Sequence, residues 1–407
     1  MSISEMLFAR KQQIDSLLQL TRAINGNSKE GELFALFQQL MQEQMGVSKL
    51  TLFYKREKWV NIFHFGENEI LQAELVLQEL LYHKQIVDLS ENAIPGLEAY
   101  SFLIPIHHKE QALAFLLIDP IIPSMYGTRD EKLHFIETLA NIIITAIENK
   151  RLFKQQLQQA GLREQLHLAG QLQSQLVPKN LPYLDTLQID AIYLPHDEVG
   201  GDYFDYFLSH HQHHVFCVAD VSGKGISAAL LMSNLQATLR ALLLQDLSLK
   251  EIIHELNRRI LEITKQEKFI TLFLAVYNEK SRLLSYVNAG HVAPYVYNNQ
   301  AWIRLHSNTN MLGILDSLKP FEVQEVLLDA KALLLLYTDG LSELQNEREE
   351  YFENEAFDKF LSLFHSMQPK HFNEKLKEQI NEYRGQAAIG DDITVMTIRV
   401  QQSPSLT

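Results

Sequence analysis

Val215-Phe216-Cys217-Val218-Ala219-Asp220-Val221-Ser222-Gly223-Lys224-Gly225 sets a buried-looking apolar strand against an aspartate, with glycines on either side of a lysine. The glycines read as a flexible entry into the apolar helix that begins near Ile226. The arrangement recurs. Gly200-Gly201-Asp202-Tyr203, Tyr337-Thr338-Asp339-Gly340 and Gly390-Asp391-Asp392-Ile393-Thr394 each put an aspartate at the edge of a strand-like run. A lone Asp-Gly is a turn signal. Several carboxylates stationed where strands end can instead converge and hold hard divalent cations through oxygen.

Such a cluster suits hydrolysis of a phosphate ester. Two divalent ions ~3.5 to 4 Å apart lower the pKa of a shared water, align it with phosphorus and neutralise the developing charge. Carboxylates favour Mg²⁺ or Mn²⁺, whereas tetrahedral zinc would want cysteine and histidine at short fixed spacings. Asp220 is the expected bridging ligand, the Val221 carbonyl a backbone ligand, and Asp202, Asp339 and Asp391 or Asp392 the remaining members.

Around these motifs the chain alternates in short strands: Leu187 to Tyr193, His214 to Asp220, Ile270 to Tyr277, Arg282 to Val287, Ala293 to Tyr297, Glu322 to Leu328, Ala332 to Thr338 and Ile393 to Val400. Asn278-Glu279-Lys280-Ser281 and Asn298-Asn299 read as hairpin turns. Helices are expected over Ile226 to Leu244 and Leu249 to Lys265, the second with Ser248 and Glu251 at capping-box spacing.

Upstream, residues 1–150 mix helical and strand patterns as one α/β unit. A last helix starts near Thr128, an N-cap candidate before Asp130 and Glu131. It is expected to run to Val177, where Pro178 and Pro182 stop it. Within 151–180, Leu162, Leu166, Ala169, Leu172 or Gln173, and Leu176 step by three and four, as in the seam of a parallel dimer helix or a solvated connector. Residues 181–400 then form the catalytic domain and 401–407 a disordered tail.

The 407 residues suggest two or three domains at roughly one per 100 to 200 residues. A formal charge of -14 argues against nucleic acid or anionic membrane as the main partner. Cys217 stands alone, so no internal disulfide forms and a cytoplasmic setting is expected. The N-terminus does not fit a signal peptide, and the apolar stretches near Ala112 to Ile122 and Ile142 to Ile147 fall short of the ~20 residues of a membrane helix.

Five ordered motifs, Gly200 to Asp205, Ala219 to Gly225, Asn288-Ala289-Gly290-His291, Tyr337 to Gly340 and Gly390 to Val395, resemble the metal-dependent (PPM-type) protein phosphatases of the SpoIIE and RsbU branch; the likeness covers ~170 to 400 with the lead-in Gln173 to Pro178. The resemblance implies a β-sandwich flanked by helices, two Mn²⁺ or Mg²⁺ ions, and removal of phosphate from phosphoserine or phosphothreonine, with a STAS-type anti-anti-sigma protein as the family's usual substrate. By the same likeness Asp220 contacts both metals with the Val221 carbonyl on one, Asp339 and Asp391 bind the other, Asp202 contacts metal directly or through water, and Asp392 binds a third ion or waters. Relatives with Asp-Gly-His in place of Asp220-Val221-Ser222 supply a histidine acid that this chain lacks. Residues ~10 to 150, through Leu17 to Ile24, Leu33 to Met41, Lys49 to Tyr54 and Phe102 to Ile106, resemble a GAF sensor domain; no cysteine lies there to attach a bilin. That domain binds a small molecule or a partner protein, or serves to dimerise. The whole is an α+β chain: GAF-like unit, coiled-coil-like linker, phosphatase sandwich.

Other residues have plainer readings. His291 orders a turn, and His210, His211, His213 and His214 form a solvated hairpin tip. Lys224 steers phosphate or merely belongs to the glycine loop. The helix from Ile226, starting six residues after Asp220, is core and also a lever on the metal site. Two other classes of function stay open: a catalytically silent phosphoprotein scaffold, and a hydrolase of a small phosphate compound.

Overall fold

A computed structural model describes residues 3–66, 80–108, 111–121, 128–353 and 355–401. The chain divides into two compact units, Met1–Ala160 and Gly161–Thr407. The N-terminal unit begins with helices α1 (Ile3–Asn25) and α2 (Glu30–Gln39, continued by a π turn over Leu40–Gln44). Strands β1 (Val47–Lys55), β2 (Trp59–Phe65), β3 (Val87–Asp88), β4 (Phe102–His108) and β5 (Gln111–Ile121) form one antiparallel sheet in the order β2-β1-β5-β4-β3. Alternation along β1 sets the layers. Leu50, Leu52 and Tyr54 pack with Phe37, Met41, Ile136 and Ile143 of the helices, while Phe53 packs with Leu97, Leu103 and Phe115.

Helix α3 (Arg129–Gln173) runs for 45 residues, starting in the first unit and ending in the second. Thr128 caps it: Glu131 N donates to Thr128 Oγ1 at 3.3 Å and Thr128 N donates to the Glu131 carboxylate at 2.9 Å. The helix stops short of Val177, its expected end. The backbone turns at 174–176 through Gln175 N to Leu172 O and Leu176 N to Gln173 O, so Pro178 and Pro182 lie beyond a terminus already made. Leu152, Phe153, Leu157, Leu162, Leu168 and Leu172 of α3 are exposed.

The C-terminal unit is a sandwich of two five-stranded antiparallel sheets. One holds β7 (Tyr203–Leu208), β8 (His214–Val221), β9 (Ile270–Asn278), β10 (Leu283–Ala289) and β13 (Gln324–Leu327), in the order β13-β10-β9-β8-β7. The other holds β6 (Leu187–Leu194), β11 (Tyr295–Asn298), β12 (Ala301–Arg304), β14 (Leu333–Tyr337) and β15 (Ile393–Val400), in the order β12-β11-β14-β15-β6. Phe204, Phe216 and Phe273 of the first sheet interdigitate with Ile189, Leu334, Met396 and Ile398 of the second. Helices α4 (Ile226–Leu243) and α5 (Leu249–Thr264) cover the outer face of the first sheet through Met232, Leu235, Ile253 and Leu256. After the single-turn α6 (Asp339–Ser342), helices α7 (Glu355–Phe364) and α8 (Pro369–Arg384) cover the second through Phe357, Phe360, Phe372 and Leu376.

Local signals account for several joints. The Asn278 side chain accepts from Lys280 N and Ser281 N at the β9–β10 turn, and Asn299 and Gln300, with φ of 49° and 64°, make the two-residue turn between β11 and β12. Ser248 and Glu251 form the expected capping box. Among the described residues α4 is the one helix long and apolar enough to cross a membrane. Ala228, Leu231, Met232, Leu235, Leu239 and Leu242 bury its inner face against the sheet, so its apolar character serves the core. The proposed tail beyond Gln401 lies outside the described residues.

Candidate active site

The register brings the four motifs to one end of the sandwich. Tyr203 at the start of β7 pairs with Ala219 near the end of β8, so Asp202 and Asp220 emerge together. Tyr337 at the end of β14 pairs with Val395 of β15, so Asp339 and Asp391-Asp392 emerge together on the facing sheet. Side chains join the two sheets there: Thr338 Oγ1 and Thr394 Oγ1 both donate to Asp202 Oδ2, at 2.7 and 2.6 Å.

Crowding sets the electrostatics. Burial, then the charges of Asp339, Asp391 and Asp392, pushes Asp220 up to about 7. Asp202, 2% exposed, lies well above the ordinary carboxylate range because of burial and then the Asp220 charge. Burial, followed by Glu343 and Asp391, raises Asp339. Lys224 offers partial relief, 3.0 Å from Asp391, and donates to the Gly390 carbonyl.

The carboxylates differ in what they have left to offer. Both oxygens of Asp392 are committed to backbone amides: His196 N donates to Oδ1 at 2.7 Å and Gly201 N to Oδ2 at 2.8 Å. Asp392 therefore fastens the Gly200–Asp202 loop. Gly340 must be glycine, because a Cβ there would collide with the Asp392 carbonyl. A Cβ on Gly201 would meet the Val221 carbonyl oxygen at 2.9 Å, which places that oxygen beside Asp202. Among the described residues no three His, Cys, Asp or Glu side chains already stand in a ligating arrangement. The donor chemistry nevertheless fits a hard divalent cation: every donor is oxygen, and mutual repulsion is what such an ion would relieve. Asp220, Asp339, Asp391 and the Val221 carbonyl supply such oxygens at this end of the sandwich.

Comparison with known proteins agrees with this arrangement. The family model of stage II sporulation protein E (SpoIIE) matches residues 210–401. Within the C-terminal unit, residues 210–401 are thus similar to the SpoIIE family. Protein IcfG of Synechocystis is 25% identical over 378 residues, 84% of this chain and 58% of IcfG. The phosphoserine phosphatase RsbU of Bacillus subtilis is 28% identical over 193 residues, 46% of this chain and 56% of RsbU. The chain spans about half the length of the curated relatives it matches. Among solved structures, the SiaA-PP2C domain of Pseudomonas aeruginosa covers 60% of this chain and 98% of its own, with a TM-score of 0.52 and 21% identity, and so shares the fold.

Two features of the C-terminal unit escaped the sequence reading. Asp205, fully buried on β7, accepts from Arg240 Nε at 2.9 Å and from Arg240 Nη2 at 3.1 Å, and also from the Tyr203 hydroxyl. This pair ties α4 to the strand that starts beside Asp202. The signal was a carboxylate inside the aromatic run Tyr203 to Phe207, which cannot be buried without a cation. The second is Gln173: its Nε2 donates to the Gly200 carbonyl at 2.7 Å and its Oε1 accepts from Gly200 N at 3.0 Å. Gly170, one turn earlier, has no room for a Cβ against the Glu198 carbonyl. The end of α3 thus docks on the loop that leads into Asp202, and Gln173 faces that loop rather than a helix seam.

The histidines behave as turn and core residues. His291 N donates to Asn288 Oδ1 at 2.8 Å and its Nδ1 lies 2.8 Å from Thr271 Oγ1, opposite Asp220 across the β8–β9 pair. Burial pushes it down to about 4, so it is neutral. His211 meets exposed Asp246 at 3.1 Å and His214 stacks between Tyr206 and Tyr277. Ser222 Oγ accepts from Phe269 N at 2.8 Å, holding the loop after Asp220.

Proposed function

We propose that this chain is a metal-dependent protein serine/threonine phosphatase of the cytoplasm, acting on phosphoserine or phosphothreonine of a small STAS-type anti-anti-sigma protein. The observation that carries the reading is the crowding of Asp202, Asp220 and Asp339 at one end of a SpoIIE domain; the name of the relative RsbU adds support. When bound, two Mn²⁺ or Mg²⁺ ions would supply the charge that activates water and neutralises the phosphoryl group. Asp220 and the Val221 carbonyl would hold them from one sheet, Asp339 and Asp391 from the other. Asp202, fixed by Thr338 and Thr394, sets the negative field behind Asp220, and Asp392 locks the loop in front of it. Lys224 offers the incoming phosphate a cation beside Asp391.

Regulation enters through the N-terminal unit, read as a GAF-like sensor, and through α3, whose exposed leucines and Phe153 form the seam of a homodimer. The IcfG alignment supports a shared architecture, because 84% of the chain exceeds what the C-terminal unit alone could hold. The test is phosphate release, with and without Mn²⁺, from the phosphorylated STAS protein encoded nearest in the same genome, beside p-nitrophenyl phosphate. Mn²⁺-dependent release from the protein supports the proposal. Release from the small ester alone would leave a small-phosphate hydrolase, and binding without release a scaffold.

A further inference from the structure

We infer that the N-terminal unit binds a small organic anion, an apolar body carrying phosphate or carboxylate groups, in the cleft between the β1–β2 hairpin, the start of α2 and the middle of α3. The cleft measures about 730 Å³, within the range of small-molecule sites. Six cationic side chains line it, Lys29, Arg56, Lys58, Lys150, Arg151 and Lys154, against the two carboxylates Glu30 and Glu57. In a chain of formal charge -14 this is a concentrated reversal of sign.

Part of this charge is already used. Arg56 meets Glu30 at 2.7 Å and Arg151 meets Glu148 at 2.6 Å. Lys150 donates to the carbonyls of Asn27 and Ser28, at 3.1 and 3.0 Å, tying α3 to the α1–α2 connection. The side chains of Lys29, Lys58 and Lys154 form no ion pair among the described residues, and they come from the N-cap of α2, the β1–β2 turn and α3. A solvated basic face would spread its charges over a convex surface. Here they border a concavity also lined by Leu33, Val60 and Ile147. This mixed cationic and apolar lining selects an amphipathic anion, since an inorganic ion would leave the apolar side chains wet and a neutral apolar ligand would leave the lysines facing one another.

The test uses the full chain in EDTA, so that the aspartate centre takes no anion through a metal. Titration with 1-anilinonaphthalene-8-sulfonate, followed by fluorescence, should show one saturable site, weakened at high salt and competed by pyrophosphate only at much higher concentration. Lys58→Glu with Lys154→Glu should weaken the dye at least about tenfold and Val60→Asp about fivefold, with circular dichroism unchanged, as all three side chains are on the surface. Unchanged dye affinity in the double variant would overturn the site. Pyrophosphate binding as tightly as the dye, with Val60→Asp silent, would overturn the amphipathic ligand.

Discussion

Asp202 and Asp205 sit three residues apart at the start of β7, and both are buried, yet the protein treats them in opposite ways. Asp205 has its cation built in: Arg240 of α4 reaches it with two nitrogens, and the Tyr203 hydroxyl adds a third donor. Asp202 has two threonine hydroxyls on one oxygen and faces the like charges of Asp220 and Asp392. One carboxylate is finished by the fold. The other faces like charges, with no arginine or lysine bound to it among the described residues. A third solution stands nearby in His291, which is buried by remaining neutral.

The comparison predicts the largest effect at Asp220. Asp220→Asn should lower phosphate release by about a thousandfold or more, while denaturant unfolding of the metal-free protein stays equal or becomes harder, because a repelling charge is gone. Near-normal turnover would break the contrast. Arg240→Ala should act the opposite way, on stability first: it strands a buried carboxylate and should cost about 3 kcal/mol, less than a fully buried pair because the guanidinium is 46% exposed. Adding Asp205→Asn should recover much of that loss, measured as a double-mutant cycle in urea.

His291 sharpens the comparison through pH. Burial holds it at about 4 against an ordinary 6.5, so within that window the unfolded chain binds a proton that the folded chain refuses. Stability therefore rises with pH across the window and falls as pH drops from 6.5 toward 4, by roughly 2 kcal/mol near pH 4.5. His291→Asn should flatten this slope in urea titrations at several pH values, and an unchanged slope would remove His291 from the account. The smallest effect is expected at Gln173. Gln173→Ala removes both bonds to Gly200 and should raise the Mn²⁺ concentration for half-maximal phosphate release by about tenfold, with KM for the phosphoprotein little changed.

Several elements were legible before any coordinates. Strand β15 has the expected bounds, Ile393–Val400, because a run in which six of eight residues are β-branched follows a turn. Helices α4 and α5 were legible from a glycine-rich entry and a capping box. Strand β7 was not, since Asp205 interrupts its apolar run, and only a cation from a helix 35 residues away makes that burial tolerable. Helices α7 and α8 were missed because their polar faces hide the spacing of Phe357, Phe360, Phe372 and Leu376. The end of α3 was placed at proline, the local stop signal, whereas Gln173 ends it through a contact with Gly200.

By itself the sequence determined which side chains could perform the chemistry, because aspartates at strand edges in a fixed order of motifs are local facts of residue type and spacing. Tertiary structure alone decided how those aspartates divide their labour. Asp392 turns to backbone amides, Asp202 to two threonines, and Asp220 meets the repulsion of Asp339 and Asp391, since burial and charge coupling depend on which strands meet, and that pairing joins residues up to 196 positions apart.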